Sequence, residues 1–501
     1  MLENLNAQVQ EYRDLRNYPL SNDVPPAYVF NPMPVGFRIN KEQQPINWEI
    51  PDEVGLPANR NELAYYSILQ LASLLKNRKI TSVDLTRFFI DRLRKYGDTL
   101  QCVISITEEL ALKQAEKADL EISEGHYKGP LHGIPYGVKD LLSTEGYRTT
   151  WGAAPFKEQV IRETATVIQK LESAGAVLVA KLTLGALAWG DVWYGGITKN
   201  PWDLNQGSSG SSAGPASATA AGLVPFSIGS ETWGSIVSPS TRCGITGLRP
   251  SYGRVSRTGA MALSWTMDKL GPMCRSAVDC AIVFEAIHGT DGRDQSLVDA
   301  AFNFDMNTDA RSLRIGYIKE LFNADNDNRE NDQAMLKIFA AAGITLEPVS
   351  LPGGFPEEAM SIILNAEAAA AFDELTRSDR DSLLVRQIKN AWPNSFRASR
   401  FIPAVEYINA NRVRYRLIQE LNTTLQDYDA VITSSFGGNQ LLITNLTGHP
   451  CLVLPNGFTR EGHPTSFSII GNLFEEDKLL TVAKMYQELT DHEDMHPPSF
   501  Q

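Results

Sequence analysis

Histidine, cysteine and positive charge are all scarce in this 501-residue chain. Seven histidines are scattered along it, and none falls between positions 133 and 287. Their spacing matches no metal-ligand pattern, and neither a C-x-x-C pair nor an H-E-x-x-H motif occurs, so neither a metal site nor a cofactor is expected. The five cysteines (Cys102, Cys243, Cys274, Cys280 and Cys451) are odd in number and sit in apolar settings. They read as buried free thiols, not as a disulfide framework. The 46 basic side chains are outnumbered by 59 acidic ones, which gives a formal charge of −13. Gripping phosphate backbones takes a basic face, so direct nucleic-acid binding is disfavoured. No run approaches the 18 or so apolar residues that a membrane span needs, and none is expected. The opening Met-Leu-Glu-Asn lacks a basic segment followed by an apolar one, so no signal peptide is predicted and a cytoplasmic location is the expectation for the chain as it stands.

What is present is a large apolar fraction, 43%, with 21% charged residues, enough for an extensive core and unlike a disordered composition. Residues 1–17 place Leu2, Leu5, Val9, Tyr12 and Leu15 at helical spacing. Residues 18–60 carry Pro19, Pro25, Pro26, Pro32, Pro34, Pro45, Pro51 and Pro57, which forbid long helices and suggest an arm lying over the main body. Beyond it, Leu69, Ala72, Leu75 and Ile80 suit one helix. Thr81 with Asp84 opens another that should end near Gly97, and a third spans about 107–124. A helix near 164–174 leads through Gly175 into the β-branched run 176–182. Strands are predicted at 312–318, 344–351, 429–435 and 451–457, with helices at about 332–342, 403–421 and 476–490. This alternation indicates the α/β class.

The chemistry concentrates in 207–250. A loop, GSSGSSAG, is followed by the apolar AAGLVPFSIG and then by a second small-residue loop, GSETWGSIVSPSTRCG. Small residues let backbone N–H groups converge on a developing negative charge, and serines supply nucleophilic hydroxyls. Such a hydroxyl needs a base, and no histidine is near. Lys139 can serve if burial lowers its pKa, and its apolar frame, Tyr136-Gly137-Val138-Lys139-Asp140-Leu141-Leu142, is a poor setting for a solvated lysine. Plainer readings exist. The Gly/Ser stretch could be a linker, and Lys139 could pair with Asp140. Ser212 sits in a formal G-x-S-x-G without the strand that motif needs, Ser73 in a formal S-x-x-K within a helical pattern, and His132 suits packing or capping. Asn422-Thr423-Thr424 and Asn445-Leu446-Thr447 are formal glycosylation triplets of a kind common by chance.

Several ordered segments together resemble the amidase signature family: HGIPYGVKD (132–140), NPWDL (200–204), the long run 210–259, DKLGPMCRSAVD (268–279), TNLTGHPCLVLPNGF (444–458) and SFSIIGNLFEEDKLL (466–480). The match is close over 131–290 and recognisable over about 61–490. The resemblance implies one large α/β domain over 61–501, a mixed central β-sheet flanked by helices, with its catalytic core at 131–290 and an N-terminal arm at 1–60. It implies Ser235 as nucleophile, Ser211 as bridging serine after a cis peptide bond, and Lys139 as base. The backbone of Thr232, Trp233 and Gly234 would form the oxyanion hole, with Trp233 and Ser212 facing a small-molecule amide substrate. Four departures bear on the pocket: Trp233 replaces the first of two glycines, Glu231 a commoner aspartate, Val237 an arginine and Pro215 a serine. The expected activity is hydrolysis of a linear carboxylic amide through an acyl-enzyme, with side esterase activity and a homodimer as the default assembly. The alternatives are the glutaminase subunit of a tRNA-dependent amidotransferase, against which Val237 and the long arm argue, and an inactive amidase fold that only binds.

Overall fold

The computed structural model describes residues 2–17, 20–323 and 328–501. Pro19 lies outside the described residues, as do the side chains of Leu2 and Leu5. An 11-stranded sheet runs through the molecule. Its strands in chain order are β1 (Val103–Ile106), β2 (Pro135–Lys139), β3 (Val177–Leu182), β4 (Ser227–Glu231), β5 (Thr246–Arg249), β6 (Lys269–Cys274), β7 (Ile315–Tyr317), β8 (Leu346–Pro348), β9 (Ala430–Ser434), β10 (Cys451–Phe458) and β11 (Pro464–Ile470). They lie side by side as β1-β3-β2-β4-β6-β5-β10-β11-β9-β7-β8. β2 is parallel to both β3 and β4, β7 is parallel to β8 and β9, and the remaining pairs are antiparallel, so the sheet is mixed. The central strands β2, β3, β4, β5 and β6 are buried at every position, as strands covered on both faces must be.

The helices include α1 (Leu2–Asn17), α2 (Ile68–Lys76), α3 (Ser82–Leu100), α4 (Glu108–Ser123), α5 (Thr166–Ser173), α6 (Ala213–Ala220), α7 (Val237–Cys243), α8 (Ala277–Ile287), α9 (Arg329–Ala341), α10 (Ala404–Leu425), α11 (Gln440–Thr447) and α12 (Glu476–Glu488). Thr81 caps α3 by accepting the Asp84 N–H at 3.0 Å. α3 runs past Gly97, where an end was expected. Val103 Cγ2 packs 2.9 Å from where a Cβ at Gly97 would sit, so this glycine serves a close contact and not a helix stop. The helix stops at Gln101 in the left-handed conformation instead. All five cysteines are buried and unpaired. Among the described residues no helix is long and apolar enough to cross a membrane.

Described residues between 20 and 59 form neither helix nor strand, and side chains fasten them to the body. Asn22 brackets Ala262, donating to its carbonyl at 2.9 Å and accepting its N–H at 2.7 Å. Gln43 does the same at Phe302. Trp48 donates to Glu285 at 3.0 Å and stacks on Phe304. α1 forms where periodicity placed it, but Val9, Tyr12 and Leu15 stay 44%, 46% and 71% exposed, so these three side chains join no core.

Candidate active site

Lys139 ends β2, and its parallel neighbour β4, in register with it through Val138 and Ile228, ends at Ser230 and Glu231. Gly137 lets the strand lie close to β3, since a Cβ there would come within 2.5 Å of Leu182 Cδ1. The lysine side chain is fully buried. Its Nζ lies 2.8 Å from Ser211 Oγ, 2.8 Å from Ser230 Oγ, 3.0 Å from Ser212 Oγ and 3.3 Å from the Ser230 carbonyl. Burial drives its pKa well below the ordinary lysine value, against the opposing pull of Asp268 and Glu231. Asp140 does not pair with it. That carboxylate bonds Lys181 at 2.8 Å and takes the N–H and hydroxyl of Thr150.

Both serine loops close on this amine. The Gly210–Ser211 peptide is cis, and a Cβ at Gly210 would lie 1.9 Å from the Gly190 carbonyl oxygen, so only glycine fits. α6 then starts immediately, buried along its whole length. Gly214 passes so near β3 that a Cβ would meet Thr183 N at 2.4 Å. Pro215 is the third helical residue, where the N–H has no intrahelical acceptor, which is why proline is tolerated in place of serine. The Ser212 hydroxyl donates to the Ser230 carbonyl at 3.0 Å, accepts the Ser230 N–H at 3.1 Å and accepts from Lys139. It is wholly buried, which corrects the expectation that Ser212 faces substrate: it braces β4. Its N–H donates to the Ser235 carbonyl at 3.1 Å and ties the two loops together.

The second loop turns from β4 into α7 through Thr232, Trp233, Gly234 and Ser235. The left-handed conformation falls on Gly234, at φ 83°, and not on Trp233, so one glycine suffices and the tryptophan is unstrained. The N–H groups of Trp233, Gly234 and Ser235 have no acceptor among the described residues. The Thr232 hydroxyl donates to Asp268 at 2.5 Å, and Ser235 is 8% exposed, within reach of a substrate atom but shielded from bulk water.

Glu231 fixes this loop from behind, a role that motif reading missed. One carboxylate oxygen accepts the N–H groups of Ile236 and Val237 at 2.8 and 3.0 Å, and the other binds Arg249 at 2.8 Å and Asn445 at 2.7 Å. Burial pushes its pKa up, but Arg249 and these hydrogen bonds outweigh that and hold it down at about 2. The cation facing this acid is Arg249 on β5, and Val237 meets it only through its backbone N–H. Asn445, read as a chance glycosylation triplet, is a buried member of the clamp.

A cavity of about 210 Å3 opens beside Ser230 and Thr232. Trp233, expected to wall the acyl pocket, is 45% exposed and does not line this cavity. His132 is buried and bonded to Glu121 at 3.0 Å, a packing role, and Ser73 lies buried within α2. No group of three or more potential metal ligands occurs among the described residues.

A family model described as Amidase matches residues 84–443. The chain is 34% identical to a glutamyl-tRNA(Gln) amidotransferase subunit from Marinomonas sp. (strain MWYL1), covering 85% of this chain and 97% of that one. It is 32% identical to the protein of the same name from Methylococcus capsulatus (strain ATCC 33009 / NCIMB 11132 / Bath), with the same coverage. Among solved structures, native peptide amidase from Stenotrophomonas maltophilia superposes with a TM-score of 0.76 at 25% identity, over 85% of this chain and 97% of that one. An amidase family protein from Bacillus anthracis str. Ames gives 0.77 at 25% identity, over 88% and 93%.

Proposed function

The chain belongs to the amidase signature family, and we propose that it hydrolyses a linear carboxylic amide through an acyl-enzyme on Ser235. The observation that carries this is the Lys139 Nζ, buried and 2.8 Å from Ser211 Oγ. A neutral amine donates two hydrogens and must accept one. The Ser212 proton is committed to the Ser230 carbonyl, so of the three neighbouring hydroxyls those of Ser211 and Ser230 are left to give a proton to the amine lone pair. Ser211 lies next to the nucleophile loop, so it passes a proton from Ser235 to Lys139. Ser235 Oγ attacks the amide carbon. The resulting oxyanion meets the backbone N–H groups of Thr232, Trp233 and Gly234, with that of Ser235 beside them. The proton returns to the leaving nitrogen as the C–N bond breaks. Water then repeats the relay, adding to the ester carbon and releasing the carboxylic acid and free Ser235. Neither a metal nor a redox step enters this scheme.

The names of the curated relatives favour a second reading, the glutaminase subunit of an amidotransferase. Ammonia release separates the two. The hydrolase reading expects turnover of simple amides by the chain alone, and Ser235→Ala should abolish it. Release of ammonia from glutamine only, rising with an added partner subunit, would replace it with the second reading. Unchanged turnover in Ser235→Ala would remove both.

A further inference from the structure

The arm and the nucleophile loop share the cavity beside Ser230 and Thr232, and the arm supplies Asp23, Pro25, Pro26, Tyr28, Val29 and Phe30 to its lining. This stretch is held at both ends. Asn22 brackets the Ala262 backbone, and the Phe30 ring lies 3.5 Å from the guanidinium of buried Arg414 while meeting Tyr252 edge-on at 5.1 Å. Between them the Tyr28 hydroxyl meets that of Tyr407 at 2.9 Å, which in turn donates to Glu367 at 2.8 Å. The arm is therefore a fixed wall, docked by specific bonds.

The cavity volume, about 210 Å3, exceeds the roughly 150 Å3 of an apolar cavity that takes benzene. Met261, Leu263 and Trp265 line it together with Val29 and give it apolar surface. Its charge is one-sided: Asp23, Glu163, Asp268 and Asp294 face two guanidinium groups, Arg257 and Arg293. Both guanidiniums are already paired, Arg257 with Asp294 at 3.0 Å and Arg293 with Glu163. Asp268 bonds the Thr232 hydroxyl and the N–H groups of Leu263 and Ser264, and no cation. An arriving carboxylate would find surplus negative charge and no free partner.

We propose that residues 23–30 of the arm form the specificity wall of the substrate site, closing this cavity over a compact, uncharged apolar group of the amide, a single ring or a short branched chain, and excluding a group that bears a carboxylate. The proposal rests on the hydrolase reading above and deepens it. The test uses the full chain and four amides: acetamide, benzamide, 2-naphthamide and 4-carbamoylbenzoate. Wild type should favour benzamide over 4-carbamoylbenzoate by about tenfold or more in kcat/KM, because the carboxylate would meet a lining whose acids outnumber its guanidinium groups. Val29→Ala should raise the ratio of 2-naphthamide to benzamide by about threefold or more, and Val29→Trp should depress both aryl amides against acetamide. A purely structural role would lower all substrates together and leave the ratios fixed. Equal rates for benzamide and its carboxylated counterpart, or ratios unmoved by both Val29 variants, would overturn the proposal while the hydrolase reading stood. The same compounds are also added to Ser235→Ala and followed by thermal shift. Stabilisation by benzamide and not by 4-carbamoylbenzoate would uphold the pocket even if wild type turned over no amide. Absence of any stabilisation there would overturn it.

Discussion

Residues 207–250 and residues 20–31 reach the same cleft, yet they are built in opposite ways. The first is held by backbone passing backbone. Gly210 and Gly214 each sit where a single added carbon would collide with neighbouring backbone, and α6 is buried along its whole length. The second has no regular structure and stays in place through a few side-chain hooks, Asn22, Tyr28 and Phe30. A lattice of close approaches tolerates almost no change and suits the part of a site that must hold its groups in fixed geometry. A hooked segment tolerates change and suits the part of a site that must differ between substrates.

Substitutions should reveal this contrast, beginning where the effect is largest. Lys139→Ala removes the amine that bonds Ser211 and should lower kcat by about three orders of magnitude or more, with KM changed far less, as steady-state kinetics would show. Loss of less than tenfold would break the assignment of the base. Gly214→Ala forces a carbon to 2.4 Å from Thr183 N and should cost about 3 kcal/mol or prevent folding, as read by urea denaturation. Glu231→Gln leaves Arg249 buried without its counter-charge and should cost about 3 kcal/mol in the same assay.

That carboxylate also sets an acid limit. Its folded-state pKa, about 2, lies below its unfolded value of about 4.3, so its stabilisation is present above pH 4.3 and is lost as pH falls toward 2. Wild type should lose stability through that window, and Glu231→Gln should lose less. In the arm, Tyr28→Phe deletes one half-exposed hydroxyl contact and should cost no more than about 1 kcal/mol. An effect on the scale of Gly214→Ala would erase the contrast between the two regions.

Legibility from sequence follows the same division. Ser211 and Ser235 stood out because close packing fills their loops with small residues, and Lys139 stood out because its frame of Tyr136, Val138, Leu141 and Leu142 is apolar. The sheet was readable in part. Runs such as 177–182 and 451–458 are continuous and apolar, while β7 and β8, three residues each, were predicted longer because flanking apolar residues enter loops and not the ladder. Ser230, Arg249 and Asn445 were not legible as a group. Ser230 meets Lys139 only through strand pairing across 91 positions, and Asn445 meets Glu231 across 214. Ser212 was misplaced for a related reason, since its motif position is shared by residues that face substrate and residues that brace a strand. The cavity wall was invisible because arm residues 23–30 and residues 257–265 carry no shared pattern until folding brings them together.

The central claim is that Ser235 is an activated nucleophile in a formed oxyanion site. Intact mass after exposure to a fluorophosphonate, with Ser235→Ala run alongside, tests it most directly. One adduct is expected on the wild type and none on the variant. An unlabelled wild type, or an adduct that persists in Ser235→Ala, would contradict it.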